Sequence, residues 1–280
     1  MSRKIKSRFE VAGIYLIVLV MFIVIIYPLL WTISISLNPG TSMFSASLIP
    51  EHLSFEHYRW LFADPNSNYL LWYKNTIYVA ILTSIASVIV VSFIAYAFSR
   101  FHFVGRRYGI YSFLILQMFP VMMGMVAIYL LLNVVGLLDT MYGLVIIYIG
   151  GGLPMNVFLV KGYLDTIPKD LDEAAKIDGA GYLRIFFKVL MPLAKPILAV
   201  VALFNFMAPF MDFLLPRIIL RSPEKFTLAL GLFNFISDKV ANNFTRFSAG
   251  AVLIALPISI VFLFLQRYLI SGLAEGGTKG

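Results

Sequence analysis

The chain has no cysteine, which excludes disulfides and thiolate-held metals and leaves the compartment open. Its three histidines, His52, His57 and His102, are scattered and show no metal-ligand spacing. Charged residues are scarce, at 13%, against about 25% in soluble domains. No G-x-x-x-x-G-K-[ST] run is present to cradle a nucleotide, and no H-E-x-x-H pair to hold zinc. None of the long apolar stretches contains a histidine. These absences argue against a nucleotide-hydrolysing chain, a soluble domain, and a membrane enzyme with a histidine base. A secondary transporter, which would relay protons or sodium through buried acids, also finds little support. The second, third, fourth and sixth apolar stretches hold no central Asp or Glu, and no internal repeat is visible.

What the chain has is oil. Hydrophobic residues make up 60% of it and mean hydropathy is +0.89. Six stretches reach the roughly 20 residues needed to cross a hydrocarbon core: Val11–Leu37, Thr76–Phe98, Tyr108–Leu132, Met141–Tyr163, Leu193–Leu215 and Phe247–Ile270. The expectation is an all-α polytopic membrane protein with six spans. The first follows the basic run "MSRKIKSRFE", but its apolar core is far longer than a signal peptide's, so it reads as an uncleaved span. Gly150, Gly151, Gly152 and Pro154 should break or bend the fourth span, and Pro120, Pro209 and Pro257 three others.

The net charge of +8 follows from topology. Lys and Arg concentrate before the first span, at Arg100, Arg106 and Arg107, after the fourth span, and in the tail. This bias places those segments and both termini in the cytoplasm and leaves little case for nucleic acid. Two long loops then lie outside, over residues 38–75 and 216–246. Trp31, Trp60 and Trp72 fall near the expected interfaces, where amphipathic rings anchor.

One inner segment is polar: "KGYLDTIPKDLDEAAKIDGAGYLRIFFKVLMP", residues 161–192. Thr166 and Pro168 suit a helix start, and Asp172 with Lys176 would form an i,i+4 pair. Gly179 and Gly181 should end that helix. A second would carry Tyr182, Ile185, Phe186, Val189 and Leu190 as one apolar stripe, with Pro192 opening the next span. Leu171, Ala174 and Ala175 would make a small flat face suited to close approach. An exposed stripe of this kind either rests on lipid headgroups or plugs a groove in a cytoplasmic partner, and the second reading also explains the first helix.

The pattern Glu173, Ala174, Ala175, Asp178, Gly179, Ala180, followed by Phe186, Leu190 and Pro192, resembles the EAA loop of ABC importer permeases. The resemblance implies a type I ABC importer permease fold whose coupling helices, including Leu171 and Tyr182, dock into a cytoplasmic ATPase. "FTLALGL", "ALPISIVFLFLQRYL" and the tail "GLAEGGTKG" resemble carbohydrate-uptake permeases, the MalG-type subunit of maltose/maltodextrin importers above all. That likeness implies a bacterial or archaeal cell-membrane location and a homologous second permease. It further implies two copies of the ATPase, which would bind ATP and Mg, an extracytoplasmic sugar-binding protein above, and no cofactor in this chain. Tail residues Gly272, Gly276, Gly277, Lys279 and Gly280 would reach the ATPases. The implied division is 1–70 for the first span and first outer loop, 71–270 for the type-1 transmembrane domain, and 271–280 for the tail. The stretch "FNFMAPFMDFLLP" departs from the family pattern, with Pro209 ahead of Asp212. Polar groups inside spans usually face a bundle interior, which makes Gln117, Asn156, Asn205 and Asp212 candidates for a translocation path. Helix–helix hydrogen bonding is the competing use.

Overall fold

The computed structural model describes residues 3–41, 48–50, 52–118, 120–237 and 242–277, the side chains of 3–10, 121 and 270–277 excepted. Among the described residues all regular structure is helical. Four helices are long and apolar enough to cross a membrane unbroken, over Val11–Ser36, Tyr69–Arg100, Met141–Thr166 and Phe244–Leu269, and two bent helix pairs bring the possible spans to six. The chain divides into two compact units, Met1–Tyr69 with Leu232–Ala255, and Leu70–Gly231 with Leu256–Gly280.

In the first unit, α1 (Arg3–Ser36) exposes nearly all of the apolar side chains described from Val11 to Ile33, which is the surface a helix presents to lipid. Beyond it, α2 (Glu56–Ala63) is fastened to the chain on either side. The Ser36 and Tyr58 hydroxyls lie 2.7 Å apart. His57 Nε2 sits 2.9 Å from the Asn38 carbonyl, and the Phe244 amide donates to the Thr41 carbonyl at 3.1 Å. The Arg246 guanidinium stacks 3.6 Å over the Trp60 ring, and Phe235 meets that ring edge-on, a cation–π arrangement.

The second unit is built on α3 (Tyr69–Arg100), α4 (Arg106–Gln117), α5 (Val121–Val134) and α6 (Met141–Thr166). Its polar connection holds α7 (Asp170–Ile177), α8 (Tyr182–Ile185), a π-helical turn over Phe186–Leu190 and α9 (Met191–Leu193). Then come α10 (Lys195–Met211), α11 (Leu214–Ile219), α12 (Leu228–Phe233) and α13 (Phe244–Gly277), the last two shared with the first unit. A core of small and β-branched residues, among them Val91, Ala95, Val157, Val160 and Val201, joins α3, α6 and α10. Such residues let backbones approach closely where lipid supplies no hydrophobic drive.

Two bends stand out, one at Pro120 within the third expected span and one at the start of the fifth. The third is α4 and α5, bent by 103° where Pro120 caps the second piece; a proline has no amide to continue the ladder and disfavours helix in the residue ahead. The fifth bends by 79° between Leu193 and Lys195, with Pro192 and Pro196 on either side. By contrast α6 runs unbroken through Gly150–Gly152 and Pro154. Opening a helix ladder in a water-poor setting costs more than a glycine does.

On the side away from the polar connection, residues 220–231 are pinned onto the start of α3. Trp72, buried, donates its indole N–H to the Pro223 carbonyl at 2.8 Å. Asn75 donates to the carbonyls of Glu224 and Phe226, and the Leu228 amide donates to the Thr76 hydroxyl at 2.6 Å. So Trp72 is core rather than an interface anchor. Asp139, with φ of 57°, takes the Arg221 and Ser222 amides on Oδ1 and the Ser222 hydroxyl and Lys225 ammonium on Oδ2. Burial pushes its pKa up, but Ser222, the Arg221 amide and Lys225 outweigh that and hold the carboxyl well below the usual range.

Two outcomes follow. A Cβ at Gly231 would stand 2.1 Å from the Trp72 ring, so Gly231→Ala should cost about 1–3 kcal/mol and lower the midpoint of thermal unfolding in detergent; an unchanged midpoint would show that the ring can slide away. Because the pKa of Asp139 is depressed on folding, its stabilisation is complete above the unfolded value, about 3.9, and is lost as pH falls through the folded one. Asp139→Asn should therefore speed amide exchange at Arg221 and Ser222 by roughly tenfold at neutral pH. That difference should shrink in strong acid, and equal exchange at pH 7 would refute the charged clip.

Candidate functional site

The polar connection between α6 and α10 is held from beneath by a charge. Arg100, the last residue of α3, places Nε 2.5 Å from Asp172 Oδ2, both side chains being over nine-tenths buried. Its other nitrogens donate at 3.0 Å to the carbonyls of Leu164 and Ile167 at the end of α6. The Leu164 carbonyl also takes the Ile167 amide at 3.2 Å, and a cation is favoured at a helix C-terminus of this kind. Beside it the Ser99 hydroxyl donates to Asp165 Oδ1 at 2.7 Å, and Arg106 donates to the carbonyls of Phe98 and Ser99. Asp172 thus pairs across the fold rather than with Lys176, whose ammonium lies 5.5 Å over the Tyr182 ring. Thr166 does not cap α7 either. Its hydroxyl turns back to the Tyr163 carbonyl, and the N-cap is Lys169.

Gly179 has φ of +81°. The amides of Gly179 and Ala180 donate to the carbonyls of Lys176 and Ala175 at 2.9 Å, which closes α7 on a left-handed residue. The chain then turns into α8 and the π turn. Here the expected exposed stripe goes inside. Ile185, Phe186 and Leu190 are fully buried in the core of the second unit, with Val189 partly so. Phe186 stacks on Phe93 at 4.6 Å and meets Tyr96 at 5.1 Å. A π turn brings i and i+4 onto one face, which is how Phe186 and Leu190 both point inward.

What faces out is a different set. Leu171, Ile177, Tyr182 and Leu183 are exposed, Ile177 to 87%. Glu173, Ala174, Asp178 and Gly179 lie among them, Ala175 and Ala180 are half-buried against the core, and Pro192 is exposed. Sequence reasoning missed Ile177 and Leu183. The signal was available for Ile177, which lies three residues on from Ala174 and so beside it on the helix surface. A cleft of about 180 Å³ opens beside this surface, lined by Tyr96, Arg100, His102, Lys169, Lys176 and Tyr182 among others.

The polar residues expected along a path do not all meet. Asn156 and Asn205 both come against Gly152, where a Cβ would lie 3.1 Å from one amide and 3.2 Å from the other. Asn205 also donates to the Val201 carbonyl at 2.8 Å. Asp212 is engaged elsewhere. It accepts the Leu214 amide at 2.8 Å and the Tyr148 hydroxyl at 3.1 Å, which ends α10 at Met211, short of the expected Leu215. Gln117 is exposed at the end of α4. Of the tail, Gly272, Gly276 and Gly277 continue α13 instead of starting a separate segment, since Leu273, Ala274 and Glu275 are good helix formers. Lys279 and Gly280 lie outside the described residues. No group of acidic and histidine side chains suited to a metal occurs among the described residues.

Residues 87–275 match the family model described as the binding-protein-dependent transport system inner membrane component. The chain is 46% identical over 278 residues to the galactooligosaccharides transport system permease protein GanQ of Bacillus subtilis, covering 99% of this chain and 98% of that protein. It is 47% identical over 266 residues to the maltodextrin transport system permease protein MdxG of the same organism, covering 95% of each. A chain in the crystal structure of a bacterial ABC transporter involved in the import of the acidic polysaccharide alginate superposes with a TM-score of 0.78 at 26% identity, covering 96% of this chain and 98% of that one.

Proposed function

The chain belongs to the family of binding-protein-dependent transport system inner membrane components, and from that premise we propose that it is the transmembrane permease subunit of an ATP-driven ABC importer for oligosaccharides. Maltodextrins or galactooligosaccharides are the substrates favoured, because full-length relatives at 46% and 47% identity are named for those sugars. The observation that carries the mechanism is the loop of residues 166–192: apolar side chains turned outward at Leu171, Ile177 and Leu183, on a base fastened by a buried ion pair. An exposed apolar surface on a rigid mount suits a partner protein.

In this reading the loop, with Glu173, Ala174, Ala175, Asp178, Gly179, Ala180 and Tyr182, seats in a cytoplasmic ATPase, while Phe186, Leu190 and Pro192 anchor it to the spans. Two ATPase copies bind ATP and Mg, and a homologous second permease completes the membrane portion. Both termini are cytoplasmic. A sugar-binding protein delivers its load on the outer side, where the pinned segment 220–231 faces. The transmembrane domain runs over residues 71–270, and the end of α13 reaches toward the ATPases through Gly272, Gly276, Gly277, Lys279 and Gly280. Closure of the ATP-loaded ATPases pushes the loop, opens the spans outward and admits sugar; hydrolysis resets them. Asn156 and Asn205 are the residues of this chain favoured for the path. Gln117 and Asp212 are weaker candidates, Asp212 because its carboxylate is already bonded.

Purification from native membranes in mild detergent, with mass spectrometry of what accompanies the chain, tests the assembly. An ATPase in twofold excess and one homologous permease are expected; a lone chain or a homo-oligomer would overturn the reading. The loop has its own test in Gly179→Val. A Cβ there meets nothing within 4 Å, so the change acts through its positive φ alone, at about 1–3 kcal/mol. Membrane insertion should be normal and sugar uptake at least tenfold lower. Uptake at the wild-type rate would remove the loop from the mechanism.

A further inference from the structure

Asp172 is the one buried residue of α7. Leu171, Glu173, Ala174, Lys176 and Ile177 all face out, and Ala175 only half-packs on the core. The second half of the loop is different, because Ile185, Phe186 and Leu190 lock it into the aromatic and aliphatic core. Any displacement of α7 therefore reaches the spans chiefly through the Asp172 carboxylate. That carboxylate meets a guanidinium whose remaining nitrogens already hold the end of α6, while its backbone belongs to the end of α3.

We propose that Arg100 and Asp172 are positioning residues that form the joint between α7 and the spans, so that movement of α7 drags the inner ends of α3 and α6 together. The proposal rests on the importer reading above and adds to it the residues that transmit the motion. Three physical points support it. A buried charge cannot be abandoned by its partner without a large penalty, so the pair moves as a unit. The planar fork serves three directions at once, which a lysine ammonium on a flexible stem cannot reproduce. Finally, Asp172 is held by one oxygen only: Oδ1 is buried and has no hydrogen-bond partner among the described residues. A single-atom contact lets α7 swivel about the pair while still transmitting a pull, whereas a bidentate fork would fix its angle. Lys169, Glu173 and Lys176 line the same cleft as the pair, while two other charges nearby are engaged elsewhere. Asp165 is taken by Ser99 and Lys161, and Arg106 by two carbonyls of α3.

The test uses the whole complex, co-purified with its ATPase, reconstituted in liposomes and supplied with its binding protein and a radiolabelled maltodextrin or galactooligosaccharide. Uptake and ATP hydrolysis are measured on the same vesicles for wild type, Asp172→Asn, Asp172→Glu and Arg100→Lys. Asp172→Asn keeps the shape and removes the charge. It should leave the ATPase bound, yet lower sugar moved per ATP at least tenfold. Arg100→Lys should behave alike, and Asp172→Glu should recover at least half of the wild-type ratio. A wild-type ratio in Asp172→Asn would overturn the joint, as would loss of the ATPase from that variant with uptake and hydrolysis falling in proportion, the mark of a merely structural role. Failure of Asp172→Glu to recover the ratio would do the same. If the wild-type chain brings down no ATPase at all, the importer reading itself fails, and the joint with it.

Discussion

A buried charge is stabilised by an opposite charge beside it, and at the inner face of this protein Arg100 and Asp172 supply that pairing. One guanidinium donates to the carbonyls of Leu164 and Ile167 at the end of α6, sits at the end of α3, and pairs with Asp172 of α7. Without it those two carbonyls would lose a donor beside a buried carboxylate, and α7 would lose its single buried attachment. The exposed surface of the loop is presented in a defined position because its underside is bonded in this way.

The opposite face solves a similar problem with the sign reversed. There a carboxylate, Asp139, collects two amides, a hydroxyl and an ammonium, and so draws residues 221–225 onto the turn between α5 and α6. Charged pins thus occupy the helix ends. Between them the packing of α3, α6 and α10 is made by small and β-branched side chains, with uncharged amides at Asn156 and Asn205. This division is the one a bilayer imposes, since a charge at its centre costs about 2.5–3.5 kcal/mol on insertion scales while ends reach water or headgroups.

Much of this was legible in the chain. The apolar stretches, the basic bias and the Glu173–Pro192 pattern led to an all-helical membrane protein and a transport family before any coordinates, because span length and backbone satisfaction in lipid are properties of local sequence. Gly179 was legible as a helix end for the same local reason. The stripe Ile185, Phe186, Leu190 was read correctly as apolar and wrongly as outward. Periodicity marks one side of a helix as oily but carries no information about which neighbour covers it. Trp72 misled likewise, since an aromatic ring near an interface suits lipid or a core equally well.

The sequence by itself determined which segments are helical and apolar, roughly where they stop, and that a polar loop interrupts them, since these follow from side-chain chemistry within a few residues. Only the tertiary structure decided that Arg100 reaches Asp172, that Asp139 gathers the 221–225 segment, and that Ile177 and Leu183 rather than Phe186 face outward. Those pairings span about 70 to 90 positions of chain. They depend on how helices stack and where they bend, and no local pattern of residue types encodes that.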